Sequence, residues 1–156
     1  MTFKFTQENL EKSKEIISHY PEGKKASAVM PLLDLAQRQN NGWISKEIME
    51  YIADMLDMPY IRLYEVASFY AMFNLEPVGE KVINVCTTAG CGLLGGNEIL
   101  NELNEKLDSE KYTIRECECL GACVSAPVVQ IGDEYCENAT VENITEKLSQ
   151  RKSKKS

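Results

Sequence analysis

Residues 86–123 constrain this chain more than any other stretch. The segment opens with Val85-Cys86-Thr87-Thr88-Ala89-Gly90-Cys91-Gly92 and closes with Glu118-Cys119-Leu120-Gly121-Ala122-Cys123. Five of the six cysteines fall here, four of them in a C-x4-C pair and a C-x3-C pair. Glycines 90, 92, 95 and 96 surround the first pair, and Gly121 sits inside the second. Short spacings let one loop supply two thiolates. Glycines let backbone N–H groups turn towards a negatively charged centre with no Cβ in the way. Cys86, Cys91, Cys119 and Cys123 are therefore the candidate metal ligands.

Which metal centre they suit follows from spacing. Structural zinc sites present close cysteine pairs and often histidine. Here neither pair is C-x-x-C, and the sole histidine, His19, lies far away in a helical region. The glycine-rich loops favour an iron–sulfur cluster over zinc, and zinc stays open at this point. A redox dithiol normally takes C-x-x-C at a helix N-terminus, and plant-type ferredoxins use C-x4-C-x2-C, so neither pattern is met. Cys117, expected to alternate with Cys119 on a strand and point away from it, reads as a non-ligand, as does Cys136 on a hairpin. His19 reads as a helix-surface residue and Trp43 as a packing anchor. Ala126-Pro127 reads as a rigid turn, a place for a cis bond beside the cluster.

The rest of the chain divides at Glu76-Pro77-Val78-Gly79. Residues 1–78 read as four short helices. Thr6 caps the first, which carries Leu10, Ile16, Ile17 and Tyr20 and stops at Pro21-Glu22-Gly23. The second covers 24–40, with Pro31 marking a kink or a later start. Ser45 caps the third, with Ile48, Ile52, Met55 and Leu56 on one face. Asp57 and Pro59 start the fourth, with Ile61, Tyr64, Ala67 and Phe73 inward. Residues 79–150 change period: a β-rich run 81–85, a helix 97–107, a strand from 112, a hairpin of 128–131 and 134–136 about Gly132-Asp133, and a helix 141–148. This β-α-β-β-β-α order describes an α+β domain compatible with a thioredoxin-like fold. Residues 151–156 form a basic tail.

Charge excludes one class of partner. The tail holds four of the 17 basic residues, leaving 13 against 24 acidic groups in the rest, a balance of −11. A nucleic-acid-binding body needs a basic face instead. No apolar run approaches the roughly 20 residues of a membrane span, and the N-terminus reads as neither signal nor transit peptide. The chain is expected to stay where it is made, where clustered cysteines are metal-binding or catalytic rather than disulfide-paired.

Several segments together carry a resemblance: Tyr20-Pro21-Glu22-Gly23, Leu35-Ala36-Gln37-Arg38-Gln39, Gly42-Trp43, Tyr64-Glu65-Val66-Ala67-Ser68-Phe69-Tyr70, Pro77-Val78-Gly79, both cysteine loops and Ala126-Pro127. In this order they resemble the small [2Fe–2S] subunits that stand beside the NADH-binding flavoprotein of respiratory complex I, NADH:quinone oxidoreductase. The resemblance runs from about residue 3 to 148. It implies an N-terminal helical bundle followed by a thioredoxin-like [2Fe–2S] ferredoxin domain, with four thiolate ligands at Cys86, Cys91, Cys119 and Cys123. It also implies an electron-transfer subunit with no active site of its own, exchanging one electron with the flavin of its partner. FMN and NAD would belong to that flavoprotein, since Gly95-Gly96 is no nucleotide fingerprint. A neighbouring iron–sulfur subunit would be the other partner. The location implied is cytoplasmic, peripheral to the inner face of a bacterial membrane through the complex, or the matrix side in an organelle. Three departures stand out: Gly90 in place of a common Pro, a shorter segment before Cys119, and Cys117 and Cys136 at usually apolar and aromatic positions. The diaphorase part of an NAD-linked hydrogenase or formate dehydrogenase is the nearest alternative; a free-standing ferredoxin and a zinc scaffold are the others.

Overall fold

The computed structural model describes residues 3–152, the side chains of 151 and 152 apart, so 153–156 of the basic tail lie outside the described residues. The chain divides into two compact units between Val78 and Gly79.

The first unit is helical. Helix α1 (Gln7–Ser18) is capped by Thr6, whose hydroxyl accepts from the Asn9 N–H at 3.3 Å. A 3-10 turn (Lys25–Ala28) precedes α2 (Val29–Gln39), so Pro31 occupies the first turn of α2. A missing N–H costs nothing there, because first-turn donors have no intrahelical partner. The break in the 24–40 helix is thus a later start, not a kink. Helix α3 (Lys46–Leu56) is capped by the Ser45 hydroxyl and buries Ile48, Met49, Ile52, Ala53 and Leu56.

Helix α4 (Tyr60–Phe69) corrects two expectations. Asp57 does not open it. It closes α3 in the left-handed region at φ 54°, and Pro59 takes the N-cap position of α4. Ile61 and Tyr64, expected inward, are 57% and 40% exposed. The buried stripe is Leu63 and Ala67, one helical turn apart. Phe73 is buried from the loop after α4, so the helix is shorter than its apolar pattern suggested. That loop is tied down by Asn74. Its N–H donates to Gln37 Oε1 at 2.7 Å, its side-chain amide to the Gly42 carbonyl at 2.7 Å, and its own carbonyl accepts from Ile44.

The second unit is a four-stranded sheet in the order β2-β1-β3-β4, built from β1 (Lys81–Cys86), β2 (Tyr112–Cys117), β3 (Val129–Ile131) and β4 (Glu134–Cys136). Strands β1 and β2 are parallel, with Cys86 opposite Cys117; β3 runs antiparallel beside β1, and β4 antiparallel beside β3. A parallel pair needs a crossover, supplied by a short helix α5 (Ala89–Leu93) and α6 (Gly96–Lys106). Helix α5 went unread in the sequence because glycines at 90 and 92 mask its pattern. Helix α7 (Val141–Lys152) returns after β4 and extends past the predicted end at 148.

Alternation along the strands sorts the two faces of the sheet. Ile83, Val85, Val129 and Ile131 pack with Ile99 and Leu103 of α6 and with Val141, Ile144 and Leu148 of α7. The opposite face carries a polar row, in which Arg115 Nε donates to Asn84 Oδ1 at 2.7 Å and Asn84 Nδ2 to Gln130 Oε1 at 3.1 Å. Cys86 ends β1 on this polar-row face, two residues beyond Asn84.

Glycines let α6 come down against the end of β1. A Cβ on Gly96 would meet the Cys86 carbonyl oxygen at 2.5 Å and that of Cys91 at 2.9 Å. On Gly92 it would meet the Thr87 carbonyl oxygen at 2.8 Å. Both obstacles are backbone and cannot swing aside. Gly96→Ala gains up to about 1 kcal/mol in helix propensity, and less at a first helical residue. The overlap costs about 1–3 kcal/mol, so the clash wins. Thermal unfolding of the purified variant should show a lower Tm and a weaker hold on the cysteine loop; an unchanged Tm would contradict this packing.

Candidate metal centre

Two loops, each leaving the C-terminal end of a parallel strand, bring the predicted cysteines to one end of the sheet. Cys86 is the last residue of β1, and α5 returns Cys91 beside it. Cys119 and Cys123 follow β2, with Gly121 between them at φ +78°. The C-terminal edge of parallel strands is where α/β sheets place their ligands.

The four thiols form two pairs of unlike exposure. Cys86 and Cys91 are buried, at 1% and 2%, and pack in one cluster with Val128. Cys119 and Cys123 are exposed, with sulfurs 3.4 Å apart. Among the described residues, no group of three or more His, Cys, Asp or Glu side chains gathers around a single point. A mononuclear tetrahedral zinc needs four donors on one ion. A [2Fe–2S] cluster needs four thiolates shared between two irons, and two close pairs suit that division.

Hydrogen-bond donors reach both pairs. The Gly121 N–H donates to Cys119 Sγ at 3.4 Å, a direction its left-handed backbone makes available. The Thr88 hydroxyl lies 3.2 Å from Cys86 Sγ. Burial pushes the Cys86 thiol up, but hydrogen bonds from the Thr88 hydroxyl and from the Thr88 and Leu120 backbones hold it below its usual value. Cys91 is pushed up by burial first and then by Cys86. Cys123 is pushed up by its hydrogen bond with Cys119 and by that neighbour's charge. Thiolates this close repel each other, and the positive charge of bound irons would offset that repulsion and hold every ligand deprotonated. The donor set fits the cluster.

The two remaining cysteines part company. Cys136 is buried in the helix-covered core, where its thiol donates to Asn143 Oδ1 at 3.2 Å. Cys117 does not alternate with Cys119 on a strand, because β2 ends at Cys117 and Cys119 lies in the loop beyond. Cys117 packs against Cys86, Cys91 and Val128, along with Leu120, Ala122 and Ala126. Burial, and then the charge of Cys86, push its thiol up to about 11. The strand register Cys86↔Cys117 was the signal available for this, and it needs the parallel pairing to be known. The Ala126–Pro127 bond is cis and leads from the second loop into β3. His19 is exposed at the end of α1, and Trp43 is half-buried in the loop before α3.

Apolar side chains stand exposed in the same two loops: Leu93 and Leu94 at 87% and 61% after Cys91, and Val124 at 99% after Cys123. No helix among the described residues is long and apolar enough to cross a membrane.

The family model described as "Thioredoxin-like [2Fe-2S] ferredoxin" matches residues 13–152. A subunit of the NADH-quinone oxidoreductase of Rickettsia bellii is 51% identical over 150 residues, covering 91% of this chain and 90% of that protein. The mitochondrial NADH dehydrogenase [ubiquinone] flavoprotein 2 of Dictyostelium discoideum is 44% identical, covering 98% of this chain and 65% of that protein. The crystal structure of the thioredoxin-like [2Fe-2S] ferredoxin from Aquifex aeolicus aligns with a TM-score of 0.40 at 19% identity, over 47% of this chain and 85% of that one. A match across most of its length, on a sheet that ends in two cysteine pairs, makes this chain a member of the thioredoxin-like [2Fe–2S] ferredoxin family.

Proposed function

We propose that this chain is the [2Fe–2S] electron-transfer subunit of an NADH:quinone oxidoreductase, with Cys86, Cys91, Cys119 and Cys123 as the cluster ligands. The observation that carries the reading is the pair of thiol pairs, one buried and one exposed, at the end of a sheet in a chain half identical to subunits of such enzymes. When bound, a cluster of this kind takes up and releases one electron at a time.

The chain's own residues divide the remaining work. Cys86 and Cys91 anchor from the core side. The Thr88 hydroxyl and the Gly121 N–H meet the negative charge of the sulfurs. Cys119 and Cys123 stand at the surface, and proximity at the surface sets how closely a donor or acceptor can approach. Leu93, Leu94 and Val124 offer a partner an apolar contact that excludes water beside them. Helix α4 and its following loop expose Phe69 at 79% and Met72 at 54%, a second apolar area suited to a protein partner. On this reading NAD and FMN bind the partner flavoprotein, whose flavin exchanges single electrons with this subunit. The chain works on the cytoplasmic or matrix face of the membrane as part of the assembly.

Anaerobic purification should give about two irons and two sulfides per chain and a spin-half signal after dithionite. Serine at 86, 91, 119 or 123 should lower cluster content or alter its spectrum, while serine at 117 or 136 should leave both in place. A colourless protein carrying one zinc would sink the electron-transfer reading. Charge placed at the apolar rim, as in Val124→Asp, should weaken co-elution with the partner flavoprotein about tenfold or more while leaving the cluster spectrum intact. Undiminished co-elution would remove Val124 from the docking surface.

A further inference from the structure

We infer that Thr88 is a positioning residue for the cluster: its hydroxyl donates a hydrogen bond to the Cys86 ligand sulfur and thereby raises the reduction potential. This rests on the reading of Cys86 as a ligand.

The first observation is the contact itself, with Thr88 Oγ1 3.2 Å from Cys86 Sγ. Either atom could donate while Cys86 is a thiol. A ligand thiolate has no proton, so the hydroxyl becomes the donor. The second observation concerns what this hydroxyl gives up. Thr88 is the N-cap residue of α5, with the extended backbone typical of that position (φ −69°, ψ 167°). A Thr there ordinarily turns its oxygen onto an N–H of the first helical turn. Thr6 and Ser45 do so at α1 and α3 in this same chain. Thr88 makes no side-chain cap bond. Its hydroxyl is directed to the sulfur instead.

The consequence follows from charge. Reduction adds one electron and takes no proton from Thr88, and no bond to the protein forms or breaks. The added charge spreads partly onto the ligand sulfurs, where a fixed donor stabilises the reduced form more than the oxidised one. Cys86 is 1% exposed and Thr88 half-buried, so little water replaces a lost donor. Removing the hydroxyl therefore makes the cluster harder to reduce.

The test is an EPR-monitored redox titration of the anaerobically loaded full chain, with dithionite as electron source. Thr88→Val and Thr88→Ala should each lower the equilibrium constant for reduction about tenfold, which is about 59 mV for a one-electron couple. Thr88→Ser, which keeps the hydroxyl, should stay close to the wild-type potential. Val and Ala variants with full iron and sulfide and an unshifted potential would overturn the inference. Should neither variant load, the wild-type chain still decides. A brief exchange into D2O replaces a hydroxyl proton ahead of buried amides, and pulsed EPR should then detect a deuteron coupled to the reduced cluster; its absence would overturn the inference too. Cys86→Ser belongs in the same series. If it leaves the spectrum and potential unchanged, the ligand reading fails and takes this inference with it. If it alters the cluster while Thr88→Val shifts nothing, the role of Thr88 alone is refuted.

Discussion

Everything at the cysteine end of this chain depends on the parallel pairing of β1 with β2. Parallel strands cannot be joined by a tight turn, so the chain must leave the end of β1, cross one face of the sheet and re-enter at the start of β2. That crossover makes the two strands end at the same edge. Cys86 and Cys117 thus become neighbours across the ladder, and the loop carrying Cys119 and Cys123 starts beside the loop carrying Cys91. An antiparallel β1–β2 pair would have put the two cysteine pairs at opposite ends.

The crossover itself is held by close backbone contact rather than by side chains. Gly92 and Gly96 leave room for the Thr87, Cys86 and Cys91 carbonyl oxygens. Helix α6 can then press its Ile99 and Leu103 into the sheet core while its first turn presses on the cysteine loop. Burial of Cys86 and Cys91 follows from this packing. The cysteines of the second loop, Cys119 and Cys123, are exposed. One cysteine pair therefore sits behind the packing and the other in front of it. On the proposed reading, that asymmetry combines anchorage on one side with close approach on the other.

Polar groups near the site are used economically. The backbone N–H of the left-handed Gly121 reaches one sulfur, and a hydroxyl released from helix capping reaches another. Cys136, by contrast, is absorbed into the fold. Its thiol meets Asn143, which also accepts from the Thr140 N–H at the start of α7. The same residue type thus plays at least two roles within one small domain.

Much of this was legible from residue order. The α+β character, the helix caps at Thr6 and Ser45, the hairpin at Gly132-Asp133 and the four clustered cysteines are local features, written in periods and spacings of a few residues. Misreadings arose where a local pattern met a tertiary contact. Ile61 and Tyr64 are apolar at helical spacing, yet α4 buries the Leu63–Ala67 stripe, because the neighbouring helices present their core on that side. Asp57 has the chemistry of a helix start and serves as a helix end, since the turn to Pro59 needs a left-handed residue there. Alternation points Cys117 away from Cys119, but alternation beyond the end of a strand has no meaning, and where β2 ends is set by pairing with β1. The sequence by itself determined which atoms could bind iron and which segments would be helix or strand. Only the tertiary structure decided which thiols are buried, which are exposed, and that the Thr88 hydroxyl faces a sulfur instead of its own helix. Those outcomes depend on distances between residues far apart in the chain, and no local spacing encodes them.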